Sequence, residues 1–191
     1  MKITTVGLDL AKNVFQVHGI DDHGKVLLKK QLRRHQVSGF FVNLPPCLIG
    51  MEACGSAHHW ARKLQGLGHT VRLISPQFVK PYVKTNKNDA ADAAAICEAV
   101  QRPNMRFVPV KSVEQQALQA LHRTRSLWQA DRTRRINTLR GYCREFGITI
   151  AQGSRLGLEQ IARVLAEPRS AIPELLRPTM VLLLEEVRLL E

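Results

Sequence analysis

In a chain of 191 residues with 28 Lys and Arg against 16 Asp and Glu, carboxylates are scarce enough to be weighed singly. Residues 1–108 hold seven of them. Asp21 and Asp22 belong to Asp21-Asp22-His23-Gly24, a hairpin signal, and Glu98 falls about two turns along a helix from Asp89 and Asp92. Four remain. Asp9 closes an apolar run, Glu52 closes another, and Asp89 and Asp92 stand three apart on one face of an alanine-rich helix. Strand ends and helix starts on one edge of an α/β sheet are where sites assemble. Four carboxylates gathered there would repel, each close pair by roughly 4 kcal/mol at ~4 Å and an effective dielectric near ~20. Hard divalent cations offset such repulsion, and Mg²⁺ or Mn²⁺ held by carboxylates keeps positions for substrate phosphates. Two such ions would clamp the attacking and leaving oxygens of a phosphodiester. Taken alone, each acid also has a structural reading: Asp9 as a turn residue, Glu52 as a cap, Asp89 and Asp92 as first-turn acids favoured by the helix dipole.

The basic excess points to a polyanionic partner, since the formal net charge is +12. At 45% hydrophobic and 23% charged residues the chain buries a core, which excludes disorder as its default state. Charge is uneven: 15 basic and 7 acidic groups in residues 1–108, 8 and 3 in 109–150, 5 and 6 in 151–191. No run approaches the ~18 apolar residues of a membrane span, and no cleavage signal follows Met1, so a soluble, cytoplasmic protein is expected, without a membrane partner. Cys47, Cys54, Cys97 and Cys143 form no Cys-x-x-Cys pair, and reduced thiols are expected. The adjacent His58 and His59 face different ways on a helix and make a poor joint metal site.

The elements that must position the acids follow from changes of period. Ile3–Leu8, Val14–Ile20 and Val26–Arg33 predict an antiparallel meander. Gln36–Leu44 is a short amphipathic segment ended by Pro45-Pro46, and Cys47–Met51 predicts a central strand with Glu52 at its end. Ser56 is placed to cap a helix through Gln65, stopped by Gly66 and Gly68, before a strand over His69–Ile74. Strand, helix, strand at this spacing predicts a parallel pairing. Pro76–Val83 predicts a helix interrupted at Pro81, followed by the basic loop Lys84–Asn88 and a helix from Asp89 that Pro103 ends. An α/β domain over 1–110 results.

The remainder, 111–191, predicts an all-helical extension. Ser112-Val113-Glu114-Gln115 is a capping box. Leu118, Leu121, Trp128, Ile136, Leu139, Cys143 and Phe146 predict one apolar stripe on a long helix. Its other face carries seven arginines, Arg123, Arg125, Arg132, Arg134, Arg135, Arg140 and Arg144. Such a run is commonly a solvated face, but arginine forks without lysine suit phosphate binding. After Pro178 the amphipathic MVLLLEEVRLLE reaches Glu191 without a cap, which reads as a chain cut within a helix.

Three motif blocks carry a resemblance. Gly7-Leu8-Asp9-Leu10-Ala11-Lys12, Met51-Glu52-Ala53-Cys54-Gly55 and Asn86-Lys87-Asn88-Asp89-Ala90-Ala91-Asp92-Ala93 resemble, in order and spacing, those of the DEDD transposases of the insertion-sequence "one-ten" family. The resemblance implies an RNase H-like, RuvC-like mixed sheet with flanking helices over 1–110 and an Arg-rich helical connector with the start of a coiled coil over 111–191. It implies that Asp9, Glu52, Asp89 and Asp92 are catalytic and bind Mg²⁺ in cutting and exchanging DNA strands. It also implies a guide RNA beside the DNA, and a homodimer or higher oligomer assembled through helices. Lys12, Lys84, Lys87, Arg123, Arg125, Arg132, Arg134, Arg135 and Arg140 are the expected nucleic-acid contacts, while Phe78 and Tyr82 are read as packing residues. Cys54 stands where the family carries Ser or Thr. The family's attacking serine lies in a second domain that nothing in this sequence matches. Two competitors remain: a nucleic-acid-binding and dimerisation fragment, inert alone, and a Holliday-junction-resolvase-like nuclease. A sugar kinase or actin-like ATPase is disfavoured because Leu10-Ala11-Lys12-Asn13 lacks the glycines of a phosphate loop.

Overall fold

A computed structural model describes residues 2–83 and 89–190, with the side chain of Asp89 outside the description. The elements run β1 (Thr5–Leu10), β2 (Val14–Ile20), β3 (Val26–Arg33), α1 (Val37–Val42), β4 (Leu48–Glu52), α2 (Ala57–Gly66), β5 (Thr70–Ile74), α3 (Pro76–Val79), α4 (Asp89–Ala99), β6 (Phe107–Val108), α5 (Val113–Glu145), α6 (Ser154–Ala166) and α7 (Arg177–Leu189). The chain divides into two compact units, Met1–Gln115 and Gln116–Glu191.

The first unit is a mixed α/β structure built on a six-stranded sheet in the order β3-β2-β1-β4-β5-β6. β1, β2 and β3 pair antiparallel, whereas β4 pairs parallel with both β1 and β5. The β2–β3 turn is held by the buried Asp21, whose Oδ1 accepts the backbone N–H groups of His23 (3.0 Å) and Lys25 (2.9 Å). Alternation along the strands sends Val6, Leu8, Phe15, Val17, Ile49, Met51 and Leu73 to one face, where Val37, Phe41, Trp60, Ala61 and Leu64 of α1 and α2 cover them. Phe15 meets Trp60 edge-on at 5.1 Å, an arrangement that contributes roughly 0.5–1.5 kcal/mol beyond area burial. His69 is a satisfied core residue: its Nε2–H donates to the Phe41 carbonyl (2.9 Å) and its Nδ1 accepts the Cys47 N–H (3.3 Å).

The other face carries α4, packed on β1, β2 and β4, with Ile96, Ala99 and Val100 in a second core beside Ile74 and Val79. Only glycine permits this seat. A Cβ on Gly7 would collide with the Ala93 carbonyl and the Cys97 backbone, and one on Gly50 would stand 2.7 Å from Val100 Cβ.

In the second unit the C-terminal part of α5 packs with α6 and α7 through Ile136, Leu139, Cys143, Ile161, Met180, Leu184 and Val187. Arg177 ties the α6–α7 connection by donating to the carbonyls of Leu165 (3.0 Å), Glu167 (2.9 Å) and Ile172 (3.2 Å). No helix among the described residues is long and apolar enough to cross a membrane.

Several local expectations are corrected. β1 continues to Leu10, because its ladder with β2 runs on to Leu10↔Phe15, so Asp9 lies within the strand. Ser56 makes no side-chain cap on α2 and instead takes a left-handed φ of 70°. The helix expected over 76–83 shrinks to α3 and a 3₁₀ turn at Lys80–Tyr82, consistent with the proline at each start. β6, unforeseen, adds an antiparallel edge strand through Leu73↔Val108 and Ile74↔Phe107. The capping box forms: Ser112 N–H donates to Gln115 Oε1 (2.9 Å) and Gln115 N–H to Ser112 Oγ (3.1 Å). The stripe on α5 is not one buried seam. Leu118, Leu121 and Trp128 are 57%, 67% and 55% exposed, and burial begins at Ile136.

Candidate functional site

Asp9 and Glu52 are brought abreast by parallel pairing. The β1–β4 register ends at Leu8↔Met51, so the next residues on each strand are Asp9 and Glu52, on neighbours about 4.8 Å apart. Their common face is given by the glycines two positions back. Gly7 and Gly50 face α4, and side chains alternate, so Asp9 and Glu52 point to the same side. The Cys54 thiol registers both carboxylates. Burial raises its pKa first, and the charges of Glu52 and then Asp9 raise it further.

Asp92 reaches this edge through the docking of α4. It precedes Ala93, whose carbonyl lies over Gly7, and it is half-buried. Positions 92, 93, 96, 97 and 100 form one stripe at helical spacing, and Ala93, Ile96, Cys97 and Val100 on it are buried. Asp89 opens the same helix at the stripe's head, but its side chain lies outside the described residues. Among the described residues no three His, Cys, Asp or Glu side chains make a ready ligand group. The edge therefore holds two abreast carboxylates with Asp92 beside the strand that carries one of them. Their oxygens are hard donors, suited to a small divalent cation and poorly suited to a soft one.

The sheet adds neighbours that sequence reading missed. Gln16 is paired directly with Asp9, and Gln31 with Gln16, so two amides continue the Asp9 row outward across the meander. Gly7 and Gly50 set how closely α4 approaches. A glycine within a strand pattern is itself a signal of close approach, and both were legible as such.

The expected cationic contacts fall into distinct settings. Lys12 is exposed in the β1–β2 connection, while Lys84 and Lys87 lie outside the described residues. On α5, Arg123, Arg125 and Arg144 are exposed. Arg134 pairs with Asp131 at 2.7 Å. Arg135 pairs with Glu186 of α7 at 2.5 Å, and Arg140 donates to the carbonyls of Ala151 (3.1 Å) and Gly153 (2.7 Å). Arg135 and Arg140 thus knit the second unit together, and Arg132 is half-buried. Tyr82 packs at the α4 core under the Arg102 guanidinium (5.5 Å), whereas Phe78 is 36% exposed.

Comparison with known proteins agrees with the motif blocks. The family model for IS110-type DEDD transposases, described as a transposase, matches residues 6–147. Over 182 residues the chain is 56% identical to a probable family 20 transposase of Pseudomonas aeruginosa, covering 93% of this chain and 54% of that protein. It is 47% identical over 151 residues to the transposase for insertion sequence element IS1328 of Yersinia enterocolitica, covering 79% and 45%. It is also 47% identical over 164 residues to the transposase for insertion sequence element IS1111A of Coxiella burnetii, covering 86% and 45%. The chain thus spans about half the length of these curated relatives. With the family model covering most of its length, the chain belongs to the IS110 family of transposases.

Proposed function

We propose that residues 1–110 form the RuvC-like, RNase H-like metal-binding domain of a DNA transposase, and that Asp9, Glu52, Asp89 and Asp92 are its DEDD acids. The observation that carries this is the abreast placement of Asp9 and Glu52 on parallel strands, facing the helix that brings Asp92 to the same edge. The antiparallel meander followed by parallel β4 and β5 supports the fold assignment. Carboxylate oxygens fit Mg²⁺ or Mn²⁺, which when bound supplies charge neutralisation at a phosphodiester. The chain's own acids hold and orient that charge, while its basic surface holds the strand. Gln16, opposite Asp9, offers an amide to sugar or phosphate oxygens on the outward side.

Residues 111–191 are proposed as the Arg-rich connector, leading to a coiled coil and contributing to a homodimer or larger assembly, with guide RNA and DNA as partners. Exposed Arg123, Arg125 and Arg144 support phosphate contact, whereas Arg135 and Arg140 act by holding the helices. The test uses Mn²⁺ as the spectroscopic probe. Wild-type chain should bind it with a Kd that Asp9→Asn or Glu52→Gln weakens at least tenfold with the fold intact. In a full-length protein, the same variants should abolish strand cleavage while leaving nucleic-acid binding. Unchanged Mn²⁺ binding in both variants refutes the assignment. The inert-fragment reading is then the one left.

A further inference from the structure

A second cationic site lies away from the acids, at the sheet edge where β6 leads into α5. An open groove of about 610 Å³ runs there between α2 and the β6–α5 linker, lined by Arg62, Gln65, Arg72, Phe107, Lys111 and Ser112 among others. His58, one turn before Arg62 on α2, borders it through Lys111. Arg62 donates to the Lys111 carbonyl, and Arg72 lies over the Phe107 ring at 4.7 Å. Three cationic side chains, Arg62, Arg72 and Lys111, therefore line one groove, and His58 meets it at Lys111. Glu114 is a neighbouring acid: it is exposed, is engaged first with Ser112, and is also held down by the charge of Arg62.

The partners of the His58 ring favour an acceptor at Nε2. The Lys111 backbone N–H donates to His58 Nδ1 (3.1 Å), so a neutral imidazole carries its proton on Nε2. Lys111 Nζ stands 3.3 Å from that same Nε2. An ammonium has donors only, so two donors face each other. An oxyanion seated beside the pair, within reach of both nitrogens, accepts from both, and the neighbouring Arg62 guanidinium adds positive charge and N–H donors suited to phosphate. Burial, then Lys111 and Arg62, lowers the His58 pKa, as crowding of cations requires.

We infer that the His58–Arg62–Lys111–Arg72 groove binds a phosphodiester of a nucleic-acid backbone, as an anchor separate from the acidic edge. It rests on the transposase reading only in taking the anion from nucleic acid. Because the groove is open and its donors are side-chain tips, it positions a strand without reading its sequence.

The test measures binding of the 191-residue chain to a fluorescent DNA duplex and to an RNA of matching sequence across a salt series. Replacing Lys111→Gln together with Arg72→Gln should weaken binding about tenfold and, on DNA, reduce the slope of log K against log salt by about 0.9 for each phosphate that the groove no longer neutralises. Mn²⁺ binding should persist in the Lys111→Gln, Arg72→Gln variant, so loss of the metal site and loss of the anchor are read separately. Inorganic phosphate should shift the His58 ¹⁵Nε2 resonance, assigned with His58→Gln, in wild type and less in Lys111→Gln. A duplex-only or RNA-only slope change identifies which strand the groove holds. An unchanged slope on both overturns the inference, as does a wild-type chain that binds neither. Phosphate shifts with an unchanged slope also overturn it, leaving a pocket for small anions.

Discussion

The carbonyl of Ala93 occupies the space that a side chain on Gly7 would need, so α4 rests directly on the backbone of β1. Gly7→Ala must push helix from strand, because the obstruction is backbone and no rotamer relieves it. Overpacking of this kind costs typically 1–3 kcal/mol, and this position belongs near ~3. Urea titration should show a lower midpoint at an unchanged slope. Gly50→Ala, opposed by the Val100 side chain, should cost less, since a side chain shifts more readily than a helix carbonyl.

Divalent cations should stabilise the first unit through Asp9, Glu52 and the α4 acids. At one hundred times its Kd, a ligand that binds only the native state adds about 2.7 kcal/mol. Thermal melts with and without Mg²⁺ should separate by several degrees in wild type and coincide in Glu52→Gln. A Mg²⁺ response that survives Asp9→Asn, Glu52→Gln and Asp92→Asn alike would place the ion elsewhere.

Cys54 is a reporter of the same field. Burial, Glu52 and Asp9 raise its pKa, in that order, so near pH ~8 it should alkylate slowly. Glu52→Gln removes one of those charges and should speed iodoacetamide labelling at Cys54, read by peptide mass spectrometry. Mg²⁺ should act in the same direction in wild type. Labelling indifferent to both would mean that the carboxylates do not reach the thiol.

Alkaline pH should destabilise the first unit. Burial pushes the Cys97 thiol up to about 12 and Cys47 to about 11. A thiol whose folded pKa exceeds its unfolded one binds more protons in the native state. Its contribution is therefore complete below pH ~9 and is lost as pH rises toward the folded values. The midpoint of urea unfolding should fall between about pH 9 and 11. In Cys47→Ala the fall should be shallower, measured against that variant's own value at neutral pH.

Arginines on α5 should divide by role. Arg135→Gln breaks the pair with Glu186 and should lower the melting temperature of the second unit. Arg123→Gln with Arg125→Gln should leave melting unchanged, because both are exposed, and should reduce the salt slope of nucleic-acid binding. Equal melting losses in the two variants would remove the division.

Much of the local structure was legible along the chain. The turn at Asp21-Asp22-His23-Gly24, the meander, the strand before Glu52 and the Ser112–Gln115 capping box all rest on neighbours a few residues apart. So does the three-residue spacing of Asp89 and Asp92, which is an arithmetic property of any helix. The acids stood out for another reason: in a chain of net charge +12, a carboxylate closing an apolar run is a conspicuous exception.

Long-range packing decided the rest. That Asp9 and Glu52 stand abreast depends on the register of β1 against β4, and their common face with Asp92 depends on a helix docking on Gly7 and Gly50. β6 is two residues long, too short for any period to announce, and exists because β5 offers an edge. Seven arginines on α5 look alike in sequence. Only the position of Glu186 and of the Ala151 and Gly153 carbonyls separates those that hold the helices from those left on the surface. Period and composition encode what each segment prefers, whereas a partner dozens of residues away is chosen by the free energy of the whole packed unit.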